Sequence, residues 1–325
     1  MQKDHHHEDS AAVSIKERAK AKLARDMGPL ILDALNDPKT VEIMLNADGR
    51  LWQERLSERM KCIGTLSTSR GEAIIKTVAG YHGKEVTRHK PILEGEFPLD
   101  GSRFAGQLPP IVSAPTFAIR KKAVAIFTLN QYVSANIMTE KQRDSLTTAI
   151  HSHKNILVIG GTGSGKTTLV NAIINEMVEI DPSERVILIE DTGEIQCAAQ
   201  NCVQFHTTIE VSMTALLKIT LRMRPDRILV GEVRGPEALD LLMAWNTGHP
   251  GGAATLHANN AKAGLDRLSM LISMHPDSPH PIQPLIGEAV DVVVHIARIP
   301  EGRRVQEIIE VTGYEDGQYI IHPIA

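Results

Sequence analysis

The chain of 325 residues is 42% hydrophobic but only 3% aromatic, so its cores must be built mainly from aliphatic side chains. This length favours two domains over one. The formal net charge of −4 gives no general electrostatic reason to bind nucleic acid or an anionic membrane. No N-terminal signal pattern and no apolar stretch of roughly 18 residues is present, so we expect no membrane spans. The number of cysteines is odd, which is typical of reduced thiols in a cytosolic protein.

The first half of the chain predicts a small α+β domain over residues 11–125. Residues 1–10 are polar and His-rich, which predicts a flexible tail. Apolar residues at helical spacing then predict a helix over 14–35, and Asp37-Pro38 ends it.

A β-hairpin is predicted where Asp48-Gly49 lies between the apolar runs 41–46 and 51–55. Further along, the signals are shorter and are separated by prolines. The other predicted elements of this domain are a helix over 68–82 and strands over 102–108 and 116–120. Strands and helices that do not alternate regularly are typical of an α+β domain.

The character of the sequence changes after residue 125. Residues 126–150 predict short helices that form a linker, with a capping box between Thr139 and Gln142. Strands and helices alternate over 151–325, which predicts an α/β domain with a mainly parallel sheet. Its predicted strands lie over 155–160, 185–190, 227–232 and 253–257, with two or three more after residue 290.

Residues 160–167 read Gly-Gly-Thr-Gly-Ser-Gly-Lys-Thr and fit the phosphate-binding pattern G-x-x-x-x-G-K-[ST]. Glycines let backbone N–H groups turn inward around a phosphate, and the following helix N-terminus adds partial positive charge. We expect Lys166 to reach the β- and γ-phosphates of ATP and the Thr167 hydroxyl to hold Mg²⁺. The predicted nucleotide-binding residues are Gly161, Thr162, Gly163, Ser164, Gly165, Lys166, Thr167 and Thr168.

Acidic residues follow two of the predicted strands. Glu190 and Asp191 end one apolar run, with Glu194 three residues further on, and Glu232 follows another. Carboxyl ends of parallel strands line the crevice where α/β sheets bind ligands. We expect Thr167 and an acid from 190–194 to hold the metal, which leaves Glu232 to position water. The sequence alone does not divide the base role among Glu190, Glu194 and Glu232.

A histidine at a strand end can polarise water or contact a phosphate, but it can also be structural. His257 ends a predicted strand and is predicted to act at the nucleotide, whereas His249 is an even choice between the two roles. Positive charge for the transition state is plentiful, and composition does not choose among the arginines. The candidates are Arg103, Arg120, Arg222, Arg224, Arg227 and Arg234.

In four sequence boxes the chain resembles the secretion ATPase superfamily of type II secretion, pilus motors and type IV secretion. The boxes are the glycine-rich loop at 160–168, the acid box Ile189-Glu-Asp-Thr-Gly-Glu194, the stretch 221–232 and the His box 248–258. Glycine at position 231, where many phosphate-loop enzymes have aspartate, is usual in that superfamily. The N-terminal motifs Asp48-Gly-Arg50, Ser102-Arg-Phe and Ala118-Ile-Arg120 resemble the conjugative-transfer branch, the Trb-type mating-pair-formation ATPases.

The resemblance implies a RecA-like motor domain, an N-terminal ring domain and a homohexamer with ATP and Mg²⁺ as ligands. It also implies that Arg103 and Arg120 reach the bound phosphates. The expected partners are inner-membrane components of a secretion or conjugation apparatus, with peripheral membrane association at most and no direct nucleic-acid binding. A DNA-translocating motor and a nucleotide-gated platform with negligible turnover are the alternatives.

Overall fold

The computed structural model describes residues 5–55, 58–121, 127–208 and 210–324, with side chains from residue 15 onward. The chain divides into two compact units, residues 1–124 and 125–325. Each unit has its own β-sheet and its own hydrophobic core.

Helix α1 (His5–Asn36) of unit 1 is broken, so the expectation of one continuous helix over 14–35 is wrong. Gly28 has φ 67° and ψ 177°, and Pro29 follows it. The positive φ interrupts the helical path, and proline has no N–H to continue the hydrogen-bond ladder. The helix also begins at His5, inside the segment assigned to a flexible tail, because the charged, alanine-containing sequence after residue 7 has high helix propensity.

Unit 1 carries an antiparallel sheet in the order β3-β2-β1-β6-β5-β4. Its strands are β1 (Thr40–Leu45), β2 (Arg50–Arg55), β3 (Lys61–Thr65), β4 (Ile92–Glu96), β5 (Arg103–Gln107) and β6 (Thr116–Arg120). The predicted hairpin is confirmed, since Leu45 pairs with Leu51 and Gly49 takes the positive φ of the turn. The two edge strands, β3 and β4, were not predicted because each has only five residues, of which two are apolar and one is glycine.

One face of this sheet packs on α1 and α2 (Thr68–Tyr81). Strand residues such as Ile43, Phe104 and Ile119 alternate inward and meet Ile31 and Ile74 from the helices. This arrangement, with helices on one side of an antiparallel sheet, is an α+β fold.

Unit 2 contains a sheet in the order β14-β13-β12-β7-β11-β10-β8-β9. Its strands are β7 (Ile156–Ile159), β8 (Val186–Glu190), β9 (Cys202–His206), β10 (Arg227–Val230), β11 (Ala253–Leu256), β12 (Val292–Ile299), β13 (Gly302–Glu315) and β14 (Gln318–Pro323). Strands β12 to β9 run parallel, and β13 and β14 add antiparallel strands at one edge. The four predicted motor strands are confirmed, and β9, a half-buried strand with no clear alternation, was missed.

Helices cover both faces of this sheet. They are α3 (Leu129–Ser134), α4 (Glu140–His151), α5 (Lys166–Ile180), α6 (Met213–Thr220), α7 (Glu237–Asn246), α8 (Ala261–Ile272) and α9 (Gln283–Ala289). Within β7, Leu157 faces the cluster beneath α6–α9, whereas Val158 faces the cluster beneath α3–α5. The strand is therefore buried on both sides, which explains its uninterrupted apolar sequence.

The segment assigned to a linker is an integral part of unit 2. Tyr132 of α3 and Leu146 of α4 lie in the same buried cluster as Ile173 of α5. The predicted capping box is confirmed, with Gln142 N donating to Thr139 Oγ1 and Thr139 N donating to Gln142 Oε1. Short helices with polar exposed faces resemble a linker in sequence, but their apolar stripes are buried here. Along the described stretches, no helix is both long enough and apolar enough to cross a bilayer.

Candidate active site

The glycine-rich loop joins the carboxyl end of β7 to the start of α5. Gly163 and Gly165 have φ of 70° and 100°, which side-chain-bearing residues rarely adopt. At Gly160 a Cβ atom would overlap the Ile296 carbonyl oxygen, so this position requires glycine for space. The loop therefore brings backbone N–H groups and the amino end of α5 together as a phosphate cradle.

Lys166, the first residue of α5, is buried at the centre of this loop. Its Nζ atom donates to the carbonyl oxygens of Gly160 and Gly161 at 3.0 and 3.1 Å. A third contact joins Lys166 Nζ to Nδ1 of His257 at 3.2 Å. The ammonium group is thus held within the cradle by neutral acceptors, which a charged phosphate can replace with stronger hydrogen bonds.

His257 connects Lys166 to a carboxylate. Its Nε2 atom lies 2.8 Å from Oε1 of Glu232, whose Oε2 accepts from Arg234 Nη2 at 2.6 Å. Because Lys166 donates to Nδ1, the imidazole proton resides on Nε2 and is donated to Glu232. These residues form a polar network from the loop to Glu232.

Electrostatics keep this network in one protonation state. Burial and the charge of Lys166 lower the pKa of His257 below its ordinary value of 6.5, so the ring is neutral at pH 7. Burial alone would raise the pKa of Glu232, but the hydrogen bond and charge of Arg234, together with His257 and Lys166, lower it overall. Glu232 is therefore an ionised acceptor, suited to orient or deprotonate water.

Strand register explains why these distant residues meet. Ile159, just before the loop, pairs with Leu256, just before His257, and Val230 of β10 pairs with Ala254 of β11. The carboxyl ends of parallel strands lie at one sheet edge, so residues that follow these strands converge there.

Glu190 explains the glycine at position 231. The Glu190 side chain is buried, and its Oε1 atom accepts from the backbone N–H groups of Glu194 and Ile195 at 3.2 and 3.0 Å. A Cβ atom on Gly231 would lie 2.8 Å from Glu190 Cγ, so the end of β10 has no room for an aspartate beside this glutamate. Glu190 thus shapes the acid box and occupies the space next to β10.

Asp191 is held at the same sheet edge. Its Oδ1 accepts from Thr207 Oγ1 at 2.9 Å, and its Oδ2 lies 3.3 Å from Arg234 Nη1. Arg234 therefore bridges Asp191 and Glu232, a role that the sequence could not assign among its many arginines. The charge of Glu194 also acts on Arg234.

The donor set fits Mg²⁺ that is held largely by the nucleotide. Within the described ranges, no group of three or more His, Cys, Asp or Glu side chains is arranged to bind a metal. Mg²⁺ in nucleotide sites usually takes one or two protein ligands, with phosphate oxygens and water completing its octahedron. Thr167 follows Lys166 in the first turn of α5, and Glu190 and Asp191 lie at the end of β8. A hydroxyl and an acid near a phosphate cradle satisfy this requirement.

His249 does not join this cluster, so the alternative of a nucleotide role for it is not supported. It precedes β11, at the edge of the sheet opposite the loop. The neighbouring glycines have a packing role, because a Cβ at Gly251 would lie 2.9 Å from Arg227 Nη1. Arg227 is fully buried, where it pairs with Glu184 and donates to the Gly251 carbonyl at 3.0 Å. This part of the His box therefore stabilises the fold.

Arg103 and Arg120 lie in unit 1, whereas the loop lies in unit 2. The two arginines are directly opposite each other on β5 and β6, and Glu42 of β1 is opposite Arg120. Burial raises the pKa of Glu42 and the charge of Arg120 opposes that shift. Glu54 and Glu96 flank this row at its two ends, opposite Glu42 and Arg103. The two arginines therefore lie side by side in a row that also contains three glutamates.

Comparison with known proteins identifies the family of the chain and its fold. The family described as "Type II/IV secretion system protein" matches residues 91–315. The conjugal transfer protein TrbB of Rhizobium radiobacter is 49% identical over 298 residues, which cover 92% of each chain. The solved structure of the Legionella pneumophila ATPase DotB aligns with a TM-score of 0.63 and 22% identity over 87% of this chain and 81% of that one. The pilus retraction motor PilT with bound ADP aligns with a TM-score of 0.63 and 20% identity over 90% and 81%.

The two-unit α/β fold, which DotB and PilT share, and the glycine-rich loop define a P-loop ATPase fold with a RecA-like domain. The chain belongs to the type II/IV secretion system protein family, in the branch of conjugal-transfer and type IV secretion ATPases.

Proposed function

We propose that this chain is a ring-forming, Mg²⁺-dependent ATPase that powers a conjugative type IV secretion system through nucleotide-driven domain closure. The relative at 49% identity, a conjugal transfer protein, supports the conjugative assignment. The observation that carries the catalytic part is the hydrogen-bonded path from Lys166 through His257 to Glu232.

In the proposed cycle, ATP phosphates replace the loop carbonyls as acceptors for Lys166. Loss of the Lys166 hydrogen bond frees His257 Nδ1, while His257 Nε2 still donates to Glu232. The hydrogen bond at His257 Nδ1 therefore reports whether Lys166 has moved to the phosphates, and Glu232 orients the attacking water as general base. Glu194 assists from the same sheet edge, where its charge acts on Arg234.

Mg²⁺ would be held by Thr167 and an acid from Glu190 and Asp191, and would neutralise charge on the phosphates. The backbone N–H groups of residues 161–168 bind the phosphate oxygens. Their fixed orientation needs no rearrangement during hydrolysis, which favours electrostatic stabilisation of the transition state.

Arg103 and Arg120 would supply the remaining positive charge when unit 1 closes over the nucleotide. The two arginines are paired across neighbouring strands, so a single phosphate group could accept hydrogen bonds from both. Hydrolysis and release of phosphate then remove the attraction, and the rigid-body opening is the mechanical output. The ring would be a homohexamer at the cytoplasmic side of the inner membrane, in contact with inner-membrane components of the apparatus.

The first test uses Lys166→Ala and Glu232→Gln. Lys166→Ala removes the charge in the cradle and is expected to abolish turnover. Glu232→Gln keeps the side-chain size but not the base, so we expect ATP binding to persist while kcat falls about 10²–10³-fold. Steady-state phosphate release and calorimetric ATP binding measure these effects. Glu288→Gln, on an exposed helical surface, is the matched control and should behave as wild type. Wild-type turnover by Glu232→Gln would rule out the water-positioning role.

A further inference from the structure

The β12–β13 hairpin lies against the phosphate-binding loop. Strand β12 runs parallel to β7 with His295 opposite Ile159, and it continues to Ile299 where β7 ends and the loop begins. The Ile296 carbonyl then occupies the space where a Cβ on Gly160 would lie. The hairpin thereby supports one side of the loop.

Arg303 of the hairpin contacts the loop through its side chain. Its Nε atom donates to the carbonyl oxygen of Gly163 at 3.3 Å. Its Cδ atom lies 2.9 Å from the position of a Cβ on Gly165, so the Arg303 stem fills the space that this glycine leaves. The charge of Arg303 also acts on Tyr132 of α3, and the guanidinium group is therefore near both α3 and the loop.

These contacts have a geometric consequence for phosphate binding. A loop that turns its N–H groups toward a phosphate directs carbonyl oxygens elsewhere, and a side-chain donor that bonds one of these carbonyls restrains the loop. Lys166 serves the carbonyls of Gly160 and Gly161, but it must leave them to bind phosphate. Arg303 bonds the Gly163 carbonyl, and this hydrogen bond can persist when the Lys166 ammonium moves to a phosphate.

We propose that Arg303 is a positioning residue that anchors the outward Gly163 carbonyl and so keeps the loop ready to accept phosphate. The anchor acts on nucleotide affinity, because Arg303 restrains the loop and does not touch the water or the Glu232 carboxylate. Its effect belongs mainly in Kd and KM, with kcat at saturating ATP nearly unchanged.

The test compares Arg303→Met with Arg304→Met. Methionine keeps an aliphatic stem over Gly165 but removes the donor, and Arg304 is the exposed neighbour on the same strand. We expect Arg303→Met to raise the Kd of ADP about tenfold, as loss of a hydrogen bond from a charged donor does, with kcat within about twofold of wild type. Arg304→Met should bind ADP as wild type does. Amide hydrogen exchange over residues 161–165 of the ADP-free protein should be faster in Arg303→Met alone.

Arg303→Lys separates anchoring from simple charge. Lysine keeps the charge but places a methylene where Nε donates, so anchoring predicts that Arg303→Lys binds ADP as weakly as Arg303→Met. Wild-type affinity in Arg303→Lys, or equal losses in Arg303→Met and Arg304→Met, would overturn the proposal. The proposal depends on nucleotide binding by the loop, which calorimetry of the wild-type protein checks independently. If the wild type binds no ADP, the proposed function is contradicted. If the wild type and Arg303→Met bind ADP equally well, only this inference is contradicted.

Discussion

Lys166 contacts both the loop and the residues that serve it. Its ammonium group donates to two loop carbonyls and to His257, so these acceptors already satisfy the charge that Lys166 will present to phosphate. A buried ammonium without partners would be costly, and these partners make the site stable before nucleotide binds. The same hydrogen bond to His257 couples loop occupancy to the state of the imidazole.

Protonation of His257 at acidic pH should break its hydrogen bond with Lys166 and lower ATP turnover. Its pKa lies below 6.5, so protonation occurs as the pH falls below that value and adds a cation beside Lys166 while removing the Nδ1 acceptor. Turnover is therefore expected to be constant above about pH 6.5 and to fall below it, whereas Glu232, with its lowered pKa, stays ionised. Because the unfolded chain binds this proton more tightly, folding stability falls in the same direction.

His257→Gln is the variant for this comparison. Glutamine can still donate to Glu232 but does not titrate, so the acid limb of kcat/KM between pH 5 and 8 should flatten and kcat should drop. Phosphate release in a series of buffers at constant ionic strength measures both. An unchanged acid limb in His257→Gln would assign the titration to another group.

Gly231 is required by the glutamate beside it. A Cβ atom there would lie 2.8 Å from Glu190 Cγ, and Glu190 is buried and bonded to two backbone N–H groups. We expect Gly231→Ala to lower the free energy of unfolding by about 1–3 kcal/mol through overpacking, and to reduce turnover by displacing the acid box.

Gly80→Ala is the control for Gly231→Ala. Gly80 lies in α2 with open space around its Cβ position, so this change should raise the free energy of unfolding by about 0.5–1 kcal/mol through helix propensity. Urea denaturation followed by circular dichroism compares the two. Equal stability of Gly231→Ala and wild type would show that Glu190 moves aside freely.

At the scale of secondary structure, α4 shows how a short helix joins a core. Its capping box satisfies free backbone N–H groups at its start, and Gln142 also donates from Nε2 to the Val305 carbonyl at 3.3 Å. The cap thus fixes the helix start next to β13. Helix α4 then presents Leu146 and Ile150 to the sheet.

Removing the cap should weaken unit 2 by a modest amount. We expect Thr139→Ala to cost about 1 kcal/mol, whereas Thr139→Ser, which keeps the hydroxyl, should cost a few tenths. Thermal unfolding of unit 2, followed with and without ADP, provides the measurement. The cap would be unimportant if alanine and serine gave the same midpoint.

At the scale of the whole molecule, the two units contribute different residues to the proposed ATPase cycle. Unit 2 contains the cradle, the acid box and the His257–Glu232 pair, and unit 1 contains the facing pair Arg103 and Arg120. The proposed closure requires both units for hydrolysis but only unit 2 for tight binding of ADP.

Arg120→Ala tests whether unit 1 is needed for hydrolysis but not for ADP binding. We expect kcat to fall about 10²-fold or more while the Kd of ADP stays within about twofold, as for arginines that act on transition-state charge. Arg88→Ala, an exposed arginine in the same unit, is the control and should leave both values unchanged. Wild-type turnover by Arg120→Ala would remove unit 1 from the catalytic cycle.

The local sequence was enough to predict the glycine-rich loop, the strands around it, the hairpin at Gly49 and the cap of α4. These features depend on residues close together in the chain, through φ preferences, apolar periodicity and local hydrogen bonds. Their chemistry follows from residue type, so Lys166 and Glu232 could be named as candidates. The sequence did not predict the edge strands β3 and β4 or the break at Gly28, because short edge strands and kinks give weak periodic signals.

Only the tertiary structure could decide contacts between residues distant in sequence. Strand order decides four features of the site. They are the choice of His257 over His249, the bridge by Arg234, the space behind Gly231 and the contact of Arg303 with Gly163. Parallel strands bring together residues separated by tens of positions, and no short pattern records which strands become neighbours. Packing therefore determined the partners of residues whose chemistry was already apparent from the sequence.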